Sequence, residues 1–282
     1  MSINVRRLGH ALGAEVSGVD LGKELSNSEF DQIHRAFLEN HVLVFRGQKI
    51  TAAQHVAFSK RFGTVMLNEA RSDDNKVPGH PEVYMVVNKI EAPSARLTGA
   101  DWHTDESHMP APAAGSLLRC IELPGVGGDT MFCNMHMAYD GLSDGMKKML
   151  EPLNGVHLQG SDIIAIQNGT KSPDEVMMSA HPIVRIHPET GRKSLYMCRQ
   201  VRIIEGMSAD ESRILINYLT DVGTRPQNVY RHVWQQHDLV MWDNRCLMHM
   251  ALSDFDRSKI RHMERTTVRG HLSGHPYKGP IG

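Results

Sequence analysis

The chain has 282 residues, of which 40% are hydrophobic, and it carries 31 lysines and arginines against 32 aspartates and glutamates. This is ordinary for a globular protein, and the formal net charge of -1 offers neither a basic surface for nucleic acid nor an acidic tail. We find no run of about 18 apolar residues that could span a membrane and no signal peptide. The four cysteines form no CxxC pair, so we expect a cytoplasmic protein with reduced thiols.

The N-terminal third predicts short strands and two helices. Glycines break residues 1–25 into short β-type runs. Residues 26–41 place apolar side chains at helical spacing behind a capping serine, and residues 51–63 predict a second capped helix. Residues 42–48 between them, and residues 82–89 further on, have the composition of strands.

From about residue 100 onward, short β-type runs alternate with turns. Two helical patterns interrupt them, at residues 137–153 and 208–223. Many short strands with a few peripheral helices predict a mainly β (α+β) chain with a jelly-roll core. No linker divides the chain, so we expect one domain over residues 1–282. The polar, Gly- and Pro-bearing segment 68–80 predicts a mobile lid loop.

The segment ADWHTDESHM, residues 100–109, concentrates polar chemistry. His103, Asp105 and His108 lie within six residues. In an extended segment, His103 and Asp105 project from the same face because they are two residues apart, so both can reach one cation. A polar loop with a surface histidine explains the same residues, and this segment alone favours that interpretation.

A third histidine lies far downstream in an apolar run. His249 ends the strand-like segment 239–251, where it is either a hydrogen-bonded core residue or a metal ligand from a second strand. Two histidines and one carboxylate leave three positions of an octahedral iron free. Zinc accepts the same ligands, so the set does not decide the metal.

Two arginines and a threonine point to an anion. Arg261 and Arg265 are four residues apart on a β-type segment, which places both on one face. A guanidinium pairs with a carboxylate through two parallel hydrogen bonds. Thr130 follows the glycine-rich turn of residues 125–129, and its hydroxyl can donate to a bound carboxylate.

Taken together, WHTD, GGDTMFCN, WDNRCLMH and an arginine about 12 residues after His249 resemble the taurine and 2,4-dichlorophenoxyacetate dioxygenase (TauD/TfdA) family. The resemblance covers most of the chain. It implies an iron(II)- and 2-oxoglutarate-dependent oxygenase on a double-stranded β-helix (jelly-roll) core. HPETGRKSLYMC, IEGMSADES and RTTVRG resemble the branch that acts on aryloxyalkanoate herbicides.

The resemblance implies an activity and its reactants. The enzyme would hydroxylate a small organic acid, such as an aryloxyalkanoate or a sulfonate, while O2 and 2-oxoglutarate are converted to succinate and CO2. Cleavage of a C–O, C–S or C–N bond can follow. The resemblance also implies a homodimer or homotetramer.

Residue by residue, the resemblance assigns the iron ligands and the 2-oxoglutarate site. His103, Asp105 and His249 match the positions that hold the iron. Arg261 would pair with the distal carboxylate of 2-oxoglutarate, with Thr130 as its hydrogen-bond partner.

The substrate pocket is where the sequence departs from the taurine enzymes. Arg265 matches the position that binds the acidic group of the substrate. Asn68 replaces a histidine that contacts the sulfonate, and Gly99 replaces an asparagine. Glu106 adds an acidic residue beside the expected pocket, and His108 is expected in its wall. Taurine itself is therefore not the expected substrate.

Two other classes of protein share some of these residues. A zinc hydrolase would use the same three ligands with Glu106 as its general base, but it needs neither Arg261 nor Thr130. A non-catalytic jelly-roll module would bind an anion through Arg261 and Arg265 without needing the paired metal ligands.

Overall fold

The computed structural model describes residues 3–67, 75–88, 97 and 99–281. Their helices are Asn27–Asn40 (α1), Ala52–Lys60 (α2), Met135–Asp140 (α3), Asp144–Leu150 (α4), Gly160–Gln167 (α5) and Ala209–Gly223 (α6). Their strands are Asn4–Arg7 (β1), Ala14–Ser17 (β2), Val42–Phe45 (β3), Lys76–Val77 (β4), His80–Val87 (β5), Ala113–Glu122 (β6), Thr130–Asn134 (β7), Asn154–Leu158 (β8), Met178–Pro182 (β9), Val184–Ile186 (β10), Lys193–Leu195 (β11), Val201–Ile204 (β12), Val229–His232 (β13), Leu239–Asp243 (β14), Leu247–Ala251 (β15), His262–Arg269 (β16) and His275–Pro276 (β17).

Two sheets build the centre of the molecule. The larger has eight strands in the order β1-β2-β3-β14-β6-β16-β5-β4, and a three-stranded sheet has the order β13-β7-β15. Side chains of both sheets, among them Phe132 on β7, Leu247 on β15 and Trp242 on β14, share one apolar cluster. The predicted mainly β fold with a jelly-roll core is confirmed.

The large sheet is buried on both faces in its middle. On β14, Val240 and Trp242 point into the cluster between the sheets, whereas Leu239 and Met241 pack in a second cluster on the other face. That outer cluster includes Phe37 of α1 and other side chains of the two N-terminal helices. Successive side chains of a strand point to opposite faces of the sheet, which explains this partition. The polar residues described below lie on the inner face, beside its apolar cluster.

Helix boundaries follow local capping signals. Ser26 caps α1 and Thr51 caps α2, each in a reciprocal pairing with the side chain three residues later, as predicted for both segments. The single helix predicted for 137–153 is wrong. The structure has α3 and α4 there, because the chain turns after α3 and Ser143 caps a new helix. Helix α5 was not predicted, and no side chain caps it.

The segment 68–80 is partly a hairpin. Residues 68–74 lie outside the described residues, and so does the predicted site residue Asn68. In the described part, Val77 pairs with His80 around a turn at Gly79, which has a φ of 77°. The predicted loop is therefore wrong for residues 75–80, which form this hairpin.

None of the helices in the described ranges has the length and apolar character needed to cross a bilayer.

Candidate metal centre

Three residues predicted as metal ligands lie together between the two sheets. One ligand atom from each of His103, Asp105 and His249 lies within 4.8 Å of the other two. The backbones of His103 and His249 form an antiparallel bridge with N···O distances of 3.0 and 2.8 Å, and their ring centroids are 4.1 Å apart. The Asp105 Oδ1 lies 3.8 Å from His103 Nε2, and Asp105 Oδ2 lies 3.7 Å from His249 Nε2. Both carboxylate oxygens thus face an imidazole nitrogen.

Surrounding hydrogen bonds orient these ligands. The Ser116 hydroxyl donates to Asp105 Oδ2 at 2.7 Å, and the Asp105 backbone N–H donates to Asn244 Oδ1 at 3.3 Å. The Asn244 amide donates to Ser116 in turn, at 2.9 Å. His103 Nδ1 lies 2.7 Å from the Asp101 carbonyl, which can only accept, so Nδ1 donates and Nε2 keeps its lone pair. A metal ligand needs that lone pair.

Sequence reasoning missed Ser116 and Asn244. Asn244 stands inside the WDNRCLMH segment, so the motif itself was the signal for it. Ser116 lies in β6 with no local mark, and only the pairing of β6 with β14 brings it to Asp105.

The protonation states suit a divalent cation. Burial lowers the pKa of His103, and burial together with the neighbouring His103 lowers the pKa of His249 well below its usual range. Burial alone would raise the pKa of Asp105, but the charge of Arg265 and the hydrogen bond from Ser116 favour the carboxylate, so the pKa is lowered. Two neutral imidazoles and a carboxylate are the forms that bind metal.

Arg265 lies against the predicted metal ligands. Its Nη1 donates to Asp105 Oδ1 at 2.5 Å, and its Nη2 lies 3.8 Å from Glu106 Oε1. The guanidinium carbon lies 5.7 Å from the centre of the Tyr84 ring. The Nε is buried and has no hydrogen-bond partner in the described part of the chain. The arginine expected to bind the substrate is thus beside the metal centre with one donor unused.

Glu106 and His108 lie on the same short turn. Glu106 has a φ of 53°, a left-handed conformation that is uncommon outside glycine, and its Oε2 lies 3.8 Å from His108 Nε2. Their side chains are only 14% and 9% exposed. Glu106 therefore faces Arg265 and His108 and does not extend into solvent.

A second arginine is buried with an incomplete set of partners. Arg261 donates from Nε to the Gly128 carbonyl at 2.8 Å, while its Nη2 is buried without a hydrogen-bond partner among the residues described. Its backbone N–H is held by Asn88 Oδ1 at 2.7 Å. Burial lowers the pKa of Arg261 to about 10, which leaves it charged at neutral pH. A buried charged donor without a partner is costly, so this position favours a bound anion.

The glycine-rich turn fits closely around Arg261. A Cβ on Gly128, whose φ is 72°, would lie 3.1 Å from Arg261 Cδ and Nε, so the turn needs glycine there. Two residues on, the Thr130 hydroxyl accepts from Trp234 Nε1 at 3.0 Å, which leaves its own hydrogen available to a ligand. Trp234 was missed because 104 residues separate it from Thr130.

A jelly roll that brings His103, Asp105 and His249 together, with a buried arginine whose Nη2 has no partner among the described residues, defines a metal-dependent protein that binds an anion. Residues 4–267 match the family model described as "Taurine catabolism dioxygenase TauD, TfdA family". The chain belongs to this family.

Individual relatives agree with that assignment. The chain is 32% identical to an (S)-phenoxypropionate/alpha-ketoglutarate-dioxygenase of Sphingobium herbicidovorans, over 95% of this chain and 96% of the relative. It is 32% identical to an alkylsulfatase of Acinetobacter baylyi, over 98% of this chain and 89% of the relative. Among solved structures, AAD-2 in complex with Mn(II) and N-oxalylglycine superimposes with a TM-score of 0.83 at 34% identity, covering 97% of this chain and 99% of that one.

The chain is therefore an alpha-ketoglutarate-dependent dioxygenase, with iron(II) as its metal and 2-oxoglutarate and O2 as its co-substrates. The donor set present fits these groups: two neutral imidazoles and a carboxylate suit iron(II), and the unused donor of Arg261 suits a carboxylate. The zinc-hydrolase and anion-binding-module alternatives are not supported.

Proposed function

We propose that this chain hydroxylates a small organic anion, such as an aryloxyalkanoate, a sulfonate or a related acid, at an iron(II) held by His103, Asp105 and His249. The observation that carries this proposal is the convergence of their three ligand atoms within 4.8 Å in the interior of the molecule. Iron(II) with O2 and 2-oxoglutarate supplies the oxidising chemistry, and the protein contributes position, charge and exclusion of water.

Arg261 is the proposed anchor for 2-oxoglutarate. Its free Nη2 and the Thr130 hydroxyl would donate to the carboxylate farthest from the metal. A guanidinium suits this position because it stays charged when buried and offers donors in a fixed plane, which a lysine does not.

Arg265 and Glu106 are proposed to select the substrate. The unused Nε of Arg265 offers a donor to an acidic group beside the metal. Part of the charge of Arg265 is already offset by Asp105 and Glu106, so we expect a singly charged acid to bind better than a doubly charged one. His108 stands beside Glu106 and would complete the pocket wall. Asn68 lies outside the described residues, and its contact with the substrate stays a prediction.

The carbon that is attacked decides the product. A hydroxyl placed on a carbon that also bears an ether oxygen, a sulfur or a nitrogen gives an unstable adduct. The adduct collapses to a carbonyl compound and releases the other half of the substrate. Relatives carry names as different as phenoxypropionate dioxygenase and alkylsulfatase, so membership of the family does not select among these acids. The cytoplasmic location and the homodimer or homotetramer stay predictions.

The test is substrate-stimulated succinate formation. Protein purified without oxygen would receive iron(II), ascorbate and 2-oxoglutarate, then oxygen, with taurine, alkylsulfonates, alkyl sulfates, aminophosphonates, aryloxyacetates and aryloxypropionates screened in parallel. We expect at least one singly charged acid to stimulate succinate release, and Asp105→Ala to abolish it.

Two outcomes would count against the proposal. Iron-dependent binding of 2-oxoglutarate without stimulation by any acid would contradict the substrate class and leave the cofactor site standing. If the folded, unmodified protein shows no iron-dependent binding of 2-oxoglutarate at all, the assignment of the metal ligands is contradicted.

A further inference from the structure

A second group of potential metal ligands lies apart from the proposed iron centre. One ligand atom from each of His41, His136 and Cys246 lies within 4.8 Å of the other two. All three residues are buried, with exposures of 2%, 0% and 1%. The function proposed above uses none of them.

Backbone hydrogen bonds between three segments hold this group together. His41 follows α1, and its carbonyl accepts from the Asp243 N–H at 2.9 Å. Asp243 begins the turn that ends at Cys246, whose carbonyl accepts from the Met135 N–H at 3.0 Å. Met135 precedes His136 in α3. The three side chains are therefore positioned by separate parts of the fold and do not depend on one flexible loop.

Two imidazole nitrogens in this group are buried and unpartnered. His136 Nδ1 lies 2.7 Å from the Lys193 carbonyl, so Nδ1 carries the hydrogen and Nε2 carries a lone pair. Neither His136 Nε2 nor His41 Nδ1 has a hydrogen-bond partner among the described residues. A metal-bound histidine usually donates its other N–H to such a carbonyl, and leaving the His136 lone pair and a ring nitrogen of His41 unsatisfied in the interior is costly.

The neighbouring polar residues are already saturated. His187 Nδ1 accepts the backbone N–H groups of Glu189 and Thr190, so its Nε2 carries the hydrogen and donates to Asp243 at 2.9 Å. Both Asp243 oxygens also accept from Arg245, at 2.7 Å each. The Cys246 thiol donates to the Asp243 carbonyl at a long 3.8 Å, a contact that its sulfur can give up to a metal. His41, His136 and Cys246 are therefore the residues of this region best placed to bind one.

We propose that His41, His136 and Cys246 bind a zinc ion. Imidazole and thiolate are preferred zinc ligands, and three of them leave a fourth position for a solvent molecule. The thiolate would offset one of the two positive charges of the ion in the interior. The site is independent of the proposed substrate and of the iron centre.

Binding has a defined proton balance. Burial lowers the pKa of His41 to about 3 and lowers that of His136, so both rings are neutral and ready to coordinate. Burial raises the pKa of the Cys246 thiol well above its usual range. The zinc ion must therefore displace the thiol proton, and one proton is released for each zinc–sulfur bond that forms.

The bound ion would fasten the end of α1 and the start of α3 to the turn between β14 and β15. His249 lies three residues beyond that turn, so the ion would help hold the strand that carries an iron ligand. None of the three ligands is among the residues assigned to the substrate pocket, so the ion would stabilise the fold and take no part in the proposed reaction.

The test measures zinc in a background where the iron centre is disabled. Metal-free Asp105→Ala protein would be given zinc and freed of excess, and the zinc per chain would be measured by native mass spectrometry. We expect one tightly held zinc, which the added change Cys246→Ser removes. Cys198→Ser is the matched control, because Cys198 is also buried beside a histidine, His157, and lies outside the group.

Cobalt(II) in place of zinc distinguishes the ligands directly. Coordination by Cys246 gives a sulfur-to-cobalt charge-transfer absorption that the His–Asp–His centre cannot give, so the band should persist in Asp105→Ala and vanish in Cys246→Ser. If Cys246→Ser does not fold, His136→Gln in the same background should weaken zinc binding while keeping the cysteine.

The proposal is overturned if Asp105→Ala holds no zinc and shows no charge-transfer band. It is equally overturned if Cys198→Ser loses as much zinc as Cys246→Ser.

Discussion

Asp105 and Asp243 are two buried aspartates with similar neighbours and different degrees of hydrogen bonding. Each pairs with an arginine and lies near histidines, and each has a lowered pKa because the charge of its arginine outweighs the effect of burial. Asp243 accepts four hydrogen bonds, three from Arg245 and one from His187. Asp105 accepts one from Ser116 and one from Arg265, and its oxygens face two imidazole nitrogens that it does not bond.

The difference separates a structural ion pair from a reactive one. A carboxylate whose lone pairs are all occupied cannot take a metal without losing stability. A carboxylate with lone pairs to spare, beside neutral imidazoles, is held in place and still able to bind. Burial and charge alone do not distinguish the two aspartates, and the count of hydrogen bonds does.

The largest expected effect comes from making the same change in both aspartates. Asp105→Asn should lower succinate formation by more than the roughly 100-fold typical of losing a residue that supports a metal ligand, because a proposed ligand itself would be lost. Its fold should survive, since the Ser116 hydroxyl can accept from the new amide. Asp243→Asn should instead lower the free energy of unfolding by about 3–5 kcal/mol, because the amide cannot accept from all the surrounding donors.

Succinate release and denaturant unfolding of both variants check this contrast. Equal destabilisation by the two changes would erase the distinction between the two aspartates.

The arginines sharpen the comparison. Arg261→Lys should raise the KM for 2-oxoglutarate by roughly 10- to 150-fold, which corresponds to about 1.5–3 kcal/mol for a hydrogen bond to a charged group. Arg245→Lys should leave that KM unchanged and lower the unfolding free energy, because lysine cannot reproduce the two-pronged contact with Asp243. Steady-state kinetics with varied 2-oxoglutarate measure the first effect, and an unchanged KM in Arg261→Lys would contradict its role as anchor.

The smallest effect is expected from the serines. Ser116→Ala removes one hydrogen bond to Asp105 and should weaken metal binding about tenfold, at the low end of the range for such supporting residues, because Arg265 still holds the carboxylate. Ser194→Ala is the matched control, since Ser194 is equally buried and donates to the Arg245 carbonyl beside Asp243. Anaerobic titration with Mn(II) followed by magnetic resonance gives both affinities, and the same loss in both serine variants would show a general effect on stability.

The family, the jelly roll and the residues of the proposed iron centre could be predicted from the sequence, because the spacing of the ligands and the order of the motifs can be read directly along the chain. It did not separate 137–153 into two helices, and it extended a loop through a hairpin at 75–80. It placed Glu106 beside the expected pocket, and the structure sets this side chain against Arg265.

The sequence by itself determined the chemical inventory of this protein: which side chains can bind a metal or an anion, and in which order they occur. Only the tertiary structure decided which of them have a free lone pair or an unused donor. That depends on partners such as Ser116, Trp234 and Lys193, which strand pairing and chain crossings bring from distant parts of the chain. The zinc site inferred for His41, His136 and Cys246 rests on this distinction, because no spacing along the chain relates those three residues.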